Sequence, residues 1–75
     1  LFPNPVADKL TVYIIGDNTQ KNLTLYDVNG KAIYTQEVTN MFTNLNLSNL
    51  SEGIYYAKIS DAKGKLLYSE KFIKN

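Results

Sequence analysis

Apolar side chains recur at every second position in several short segments, which is the spacing of strands that turn one face toward a core. The alternating sets are Leu10, Val12 and Ile14; Leu23 and Leu25; Leu45 and Leu47; and Tyr55, Ala57 and Ile59. Residues 31–38 and 66–73 are further strand candidates whose inward face the pattern leaves open, because bulky residues occupy both faces. No window shows the period of an amphipathic helix, so the pattern predicts an all-β chain.

Turn residues separate these segments. Asn29-Gly30, between residues 23–28 and 31–38, predicts an antiparallel hairpin with a type I′ turn, in which both residues have positive φ. Residues 61–64 predict a second hairpin with Gly64 in the left-handed region. The polar residues 16–21 predict an exposed loop. Short strands broken by turns every 8 to 12 residues or so are typical of an antiparallel sandwich or barrel.

The segment before the fifth apolar set has the spacing of a tyrosine corner, with Leu50, then Gly53, then Tyr55. In a tyrosine corner the phenolic hydroxyl bonds to the backbone a few residues upstream and fixes a strand that crosses between two sheets. We therefore expect the Tyr55 hydroxyl to make such a bond and Leu50 to lie beneath the crossover.

Composition then excludes several classes of function. The 75 residues form one domain's length of chain, and Cys, His, Arg and Trp are all absent. The chain therefore has no disulfide, no thiolate site and no histidine for acid–base catalysis, which argues against an enzyme. Eight lysines against seven acids are scattered along the chain for a net charge of +1, so no basic face indicates nucleic-acid binding. No apolar run approaches the ~20 residues of a membrane-spanning helix.

Neither a metal nor a cofactor is expected. Asp17, Asp27 and Asp61 lie in or beside predicted turns, where aspartate commonly bonds to its own backbone. Five tyrosines are expected on the outer faces of strands, namely Tyr13, Tyr26, Tyr34, Tyr56 and Tyr68. The β-propensity of tyrosine accounts for them, and a sugar-binding platform is the alternative.

Four blocks recur along the chain in a characteristic order: a Pro-Asn-Pro opening, an Asp-x-x-Gly-Lys hairpin, a Gly-Ile-Tyr strand and a basic terminal strand. Their matching residues are Pro3, Asn4 and Pro5; Asp27, Gly30 and Lys31; Gly53 and Tyr55; and Lys71, Phe72, Ile73 and Lys74. This combination resembles the type A C-terminal sorting domain of the type IX, or Por, secretion system of Gram-negative bacteria, and the resemblance covers nearly the whole chain.

The resemblance implies an immunoglobulin-like antiparallel β-sandwich of about seven short strands, comprising residues 1–75 as one domain. It also implies a C-terminal secretion signal. The cargo, carried on the N-terminal side, passes through the periplasm and the outer-membrane translocon; a sortase then removes the domain and attaches the cargo to the cell surface. The partners implied are the translocon with its shuttle proteins, the sortase and the cargo. The chain begins at Leu1 with neither an initiator methionine nor a signal peptide, which agrees with its being a piece of a larger secreted protein.

The terminal strand is the candidate recognition element, because Lys71 and Lys74 flank the apolar Phe72 and Ile73. Capture of this strand by addition to a sheet of the export machinery is one hypothesis, and a weak dimer through edge strands is another. Two alternatives to a sorting domain stay open from the sequence. They are a fibronectin-like or immunoglobulin-like adhesion module and a carbohydrate-binding module of a secreted protein.

Overall fold

The computed structural model describes residues 7–13, 19–38 and 42–75, and within them it is all-β. Its strands are β1 (Lys9–Tyr13), β2 (Lys21–Tyr26), β3 (Ala32–Val38), β4 (Phe42–Asn46), β5 (Gly53–Asp61) and β6 (Leu66–Lys74). They form a four-stranded sheet in the order β3-β2-β5-β6 and a two-stranded sheet of β1 and β4, and every pairing is antiparallel. The predicted sandwich is confirmed. The described residues contain six strands rather than about seven.

The core lies between the two sheets and is built from the predicted alternation. Its buried members are Leu10, Val12, Leu45 and Leu47 from the smaller sheet and its continuation, and Leu23, Leu25, Val38, Tyr55, Ala57, Ile59 and Phe72 from the larger one. Since successive residues of a strand point to opposite faces, the residues between them face solvent. Ile14 of the first predicted set lies outside the described residues. Lys21, predicted to be in a loop, is instead the first residue of β2 and is buried.

The crossing from the smaller sheet to the larger one, between β4 and β5, contains the predicted tyrosine corner. The Tyr55 hydroxyl donates a hydrogen bond of 2.8 Å to the carbonyl oxygen of Ser51, four residues upstream. Leu50 is partly buried and packs against the core cluster, as expected. The Tyr55 ring also stacks on the Phe72 ring, with centroids 5.7 Å apart. The corner therefore ties the start of β5 to both the crossover and the terminal strand.

Replacing Tyr55 with phenylalanine tests this corner. The Tyr55→Phe variant keeps the stacked ring but loses the bond to Ser51, so we expect its free energy of unfolding to fall by about 1 kcal/mol. Tyr56→Phe is the matched control, since the Tyr56 ring points away from the core, and it should change stability by less than about 0.5 kcal/mol. Urea denaturation of both variants measures the difference. Equal stability of the two would show that the hydroxyl does not hold the crossover.

The two hairpin turns have one geometry, and it is not the type I′ turn predicted for Asn29-Gly30. Among the described residues only glycines have positive φ, and in this turn only Gly30 does, at 83°. The Gly30 N–H donates to the carbonyl oxygen of Asp27, and the Asp27 Oδ1 accepts the N–H groups of Asn29 and Lys31, each at 2.9 Å. The carboxylate thus satisfies two turn amides, which explains why the loop spans residues 27–31 rather than two residues.

The β5–β6 turn repeats these bonds at an offset of 34 residues, the difference between Asp61 and Asp27. Gly64, at φ 87°, donates to the carbonyl oxygen of Asp61, and the Asp61 Oδ1 accepts the N–H groups of Lys63 and Lys65 at 2.9 Å. The predicted left-handed conformation of Gly64 is confirmed. The sequence signal for the repeat is the same Asp-x-x-Gly-Lys pattern in both turns.

The repeat extends from the turns into the strands, over residues 23–38 and 57–72. Adding 34 to both residue numbers of any β2–β3 pair gives a β5–β6 pair. The bulge also lies at the equivalent position in each hairpin. Thr24 pairs directly with Lys58, its own equivalent in the second hairpin. The four-stranded sheet therefore consists of two equivalent hairpins related by a pseudo-twofold axis through the Thr24–Lys58 pair.

Candidate functional site

The structure describes the middle motif, which is the Asp-x-x-Gly-Lys hairpin, and the closing motif, which is the Gly-Ile-Tyr strand with the basic terminal strand. Both lie at one end of the four-stranded sheet. The middle motif lies in the turn that follows β2, and the closing motif lies at the start of β5 and the end of β6. Tyr56 joins them, because it pairs with Tyr26 at the end of β2 and with Lys71 on β6. The opening motif residues Pro3, Asn4 and Pro5 lie outside the described residues.

The terminal strand β6 has two chemically different faces near its end. Phe72 is completely buried and is the largest of the fully buried side chains, while Lys71 and Ile73 on either side are exposed. Lys74 returns to the buried face and is only 6% exposed. Its ammonium group donates to the carbonyl oxygen of Asn75 at 2.9 Å and lies 3.9 Å from the carboxylate of Asp8. Phe72 and Lys74 thus hold the strand in the fold, and Lys71 and Ile73 are presented to solvent.

A shallow groove of about 290 Å³ lies on the outward face of the same end of the sheet. We call it the tyrosine–lysine groove, and its lining residues are Tyr26, Asp27, Val28, Gly30, Tyr56 and Lys58. The ammonium nitrogen of Lys58 lies over the Tyr26 ring, 5.0 Å from its centroid, which is cation–π geometry. Lys58 was not among the site residues predicted from the sequence. Its spacing of two residues from Tyr56 on a predicted strand was the available signal, since such residues share a face.

The remaining tyrosines do not form a continuous sugar-binding platform. Tyr13 stacks on Phe42 on the other sheet, with centroids 4.6 Å apart. Tyr34 and Tyr68 were predicted on outer faces, and this is wrong, because they pair directly with the core residues Leu25 and Ile59 and so lie on the inward face. They are 41% and 43% exposed. Both belong to the outermost described strands of the larger sheet, β3 and β6, opposite which the structure describes a sheet of two strands.

These two tyrosines also follow the repeat. The Tyr34 hydroxyl donates to the Gln36 side chain, and the Tyr68 hydroxyl donates to the Glu70 carboxylate at the equivalent position. The bond to Glu70 raises the pKa of Tyr68 above its usual value, because removing the phenolic proton would break the bond and place two negative charges together. Both bonds join residues two apart on one strand.

Neither a metal-binding cluster nor a membrane-spanning helix occurs in the part of the chain that the structure describes. No group of three acidic side chains there is close enough to hold a metal ion. No helix that could cross a membrane occurs there either.

The comparisons with known proteins agree with the sequence motifs. No curated protein and no solved structure is significantly similar to the chain. A family model described as a secretion system C-terminal sorting domain matches residues 1–75, which is the whole chain. This protein therefore belongs to the family of type IX secretion C-terminal sorting domains.

Proposed function

We propose that residues 1–75 are the C-terminal domain of a larger secreted protein and act as the detachable signal for its export. In this proposal the cargo passes through the periplasm, the translocon recognises the domain at the outer membrane, and a sortase cleaves upstream of it as the cargo is attached to the cell surface. The match of the family model to the whole chain carries the proposal. Membership of this family marks a protein for export to the cell surface or the extracellular space.

The fold supports a role as a separate, detachable unit. The core cluster draws on every strand from β1 to β6, and the tyrosine corner and the two aspartate turns fix the β2–β3, β4–β5 and β5–β6 connections. A domain with its own core can keep its shape beside cargoes of different folds. The translocon can therefore recognise such a signal in the same way whatever protein precedes it.

The outward side chains at the end of β6 are the proposed contact with the translocon. Lys71 and Ile73 are exposed on the last strand, which is also the outermost strand of the larger sheet among the described strands. An outermost strand can pair with a strand of a partner, and outward side chains then give specificity. Capture of β6 by the translocon, or weak pairing of two copies through their outermost strands, would use this geometry.

Removal by the sortase has a direct test. A periplasm-targeted reporter carrying the chain at its C-terminus is produced in strains with an active and an inactivated sortase, and the surface fraction is digested for mass spectrometry. We expect peptides of residues 1–75 to disappear relative to reporter peptides only where the sortase is active. The reporter without the chain is the control and should stay in the periplasm. Peptides of the chain persisting on surface reporter in both strains would contradict cleavage.

A further inference from the structure

The pseudo-twofold axis provides an internal comparison for the tyrosine–lysine groove. The equivalent end of the sheet, beside the Asp61 turn, has the same strand registers, bulge and turn bonds. Its side chains differ: the equivalents of Tyr26, Tyr56, Val28, Lys58 and Lys71 are Ser60, Asn22, Ala62, Thr24 and Glu37. The same backbone therefore forms without aromatic rings or lysines at these strand positions, so the hairpin geometry does not require the groove's side chains.

The charges on the strands also differ between the two ends, although the Asp61 turn carries Lys63 where the Asp27 turn carries Asn29. Tyr56 pairs with Lys71, whereas its equivalent Asn22 pairs with Glu37. Lys58 lies on the pseudo-twofold axis, yet its ammonium group lies over Tyr26, which places it at the groove. Among the described residues, Asp27 is the one acid that lines the groove, and its Oδ1 already accepts two backbone N–H groups. The groove is thus an exposed, positively charged site lined by two tyrosines. The Asp27 carboxylate beside it already accepts hydrogen bonds from the turn.

We propose that the tyrosine–lysine groove binds an acidic peptide segment of a partner protein. The ammonium groups of Lys58 and Lys71 would pair with its carboxylates, and Tyr56 and the exposed Val28 would contact an adjoining apolar side chain. A neutral sugar fits less well, because stacking needs an open ring face and Lys58 lies over the ring of Tyr26. Binding itself does not depend on export, whereas use of the groove during export rests on the proposed function.

The test uses the 75-residue chain and a pool of blocked tetrapeptides with two central acidic residues flanked by leucine, phenylalanine or tyrosine. A pool with lysine in place of the acids and glucuronic acid, an anionic sugar, are the comparison probes. We expect the acidic pool to shift the amide NMR signals of Tyr26, Val28 and Tyr56 and to leave those of Ser60 and Ala62 unchanged. The lysine pool and glucuronic acid should shift neither set, and high salt should weaken the acidic response.

Each variant replaces a groove residue with the residue found at the equivalent position at the other end of the sheet. Lys58→Thr with Lys71→Glu should weaken acidic-pool binding by about fivefold or more, the effect of losing exposed ion pairs. Tyr56→Asn tests the aromatic contribution separately and keeps the lysines. Glu37→Gln at the other end is the control and should bind as the original chain does. Thermal unfolding of each variant shows that the fold is intact.

Four results would overturn the proposal. They are no response to the acidic pool, equal shifts at both ends of the sheet, an equal response to the lysine pool, and a response to glucuronic acid at the groove in place of the peptide. A folded Lys58→Thr, Lys71→Glu chain that binds the acidic pool unchanged would also overturn it. Failure of the sortase experiment would leave this binding result untouched, so the two proposals fail separately.

Discussion

Replacing Phe72 with alanine should leave most of the chain unfolded at 25 °C. Phe72 is completely buried, pairs with Tyr55 across the strands and stacks on its ring. Phenylalanine-to-alanine changes in cores cost about 3–5 kcal/mol. A core of this size rarely supplies more than roughly 3–5 kcal/mol in total. Circular dichroism with urea titration measures the loss, and a Phe72→Ala chain that unfolds at the same urea concentration as the original would contradict this packing.

The Phe72→Ala variant also separates folding from recognition when it is compared with a surface variant. Deleting residues 71–75 would remove Phe72 as well, so loss of export on deletion would follow from unfolding alone. The double variant Lys71→Ser, Ile73→Ser changes only exposed side chains and should cost at most about 1 kcal/mol. We expect the double variant to stay folded and to lose export of an attached reporter. Normal export of the folded double variant would show that these two side chains are not what the translocon contacts.

Removing the turn aspartates should destabilise both hairpins to the same extent. In each turn one carboxylate oxygen of Asp27 or Asp61 accepts two backbone N–H groups at 2.9 Å. Loss of a comparable side-chain cap at a helix terminus costs about 0.5–2 kcal/mol. We expect Asp27→Ala and Asp61→Ala each to lower the free energy of unfolding by about 1–2 kcal/mol, because the bonds are the same.

Asparagine is the matched control at both positions. Asp27→Asn and Asp61→Asn keep the accepting oxygen and remove the charge, so each should lose less stability than the alanine variant. Urea titration of the four variants gives the comparison. A large difference between the two alanine variants would show that the turns are not energetically equivalent, although their hydrogen bonds are.

The fold could be predicted from the sequence where local spacing determines it. Alternation of apolar residues, as at Leu10 and Val12, correctly predicted the core faces of β1 and β2. The spacing from Leu50 to Tyr55 correctly predicted the tyrosine corner. The turn at Asn29-Gly30 was predicted with the wrong type because the type was assigned from Asn-Gly alone, although Asp27 was expected to bond to nearby backbone and its carboxylate accepts two amide N–H groups of the turn. A side chain that caps the loop competes with the local preference of Asn-Gly.

The groove depends on longer-range order and could not be placed in the same way. Tyr26 and Tyr56 become neighbours only through the register of β2 with β5, which local spacing in the sequence does not predict. The inward positions of Tyr34 and Tyr68 were missed because each hairpin has a bulge at its turn end, which shifts the alternation by one residue. The repeated Asp-x-x-Gly-Lys pattern was visible in the sequence and would have indicated both bulges at once.

Export by the chain is the central claim, and one measurement tests it most directly. A fluorescent reporter targeted to the periplasm and ending in residues 1–75 is produced in two strains that differ only in a working type IX translocon. Protease added to intact cells then measures how much reporter has reached the surface. We expect surface reporter in the strain with the translocon and only periplasmic reporter in the other. Equal amounts of surface reporter in the two strains would contradict the claim.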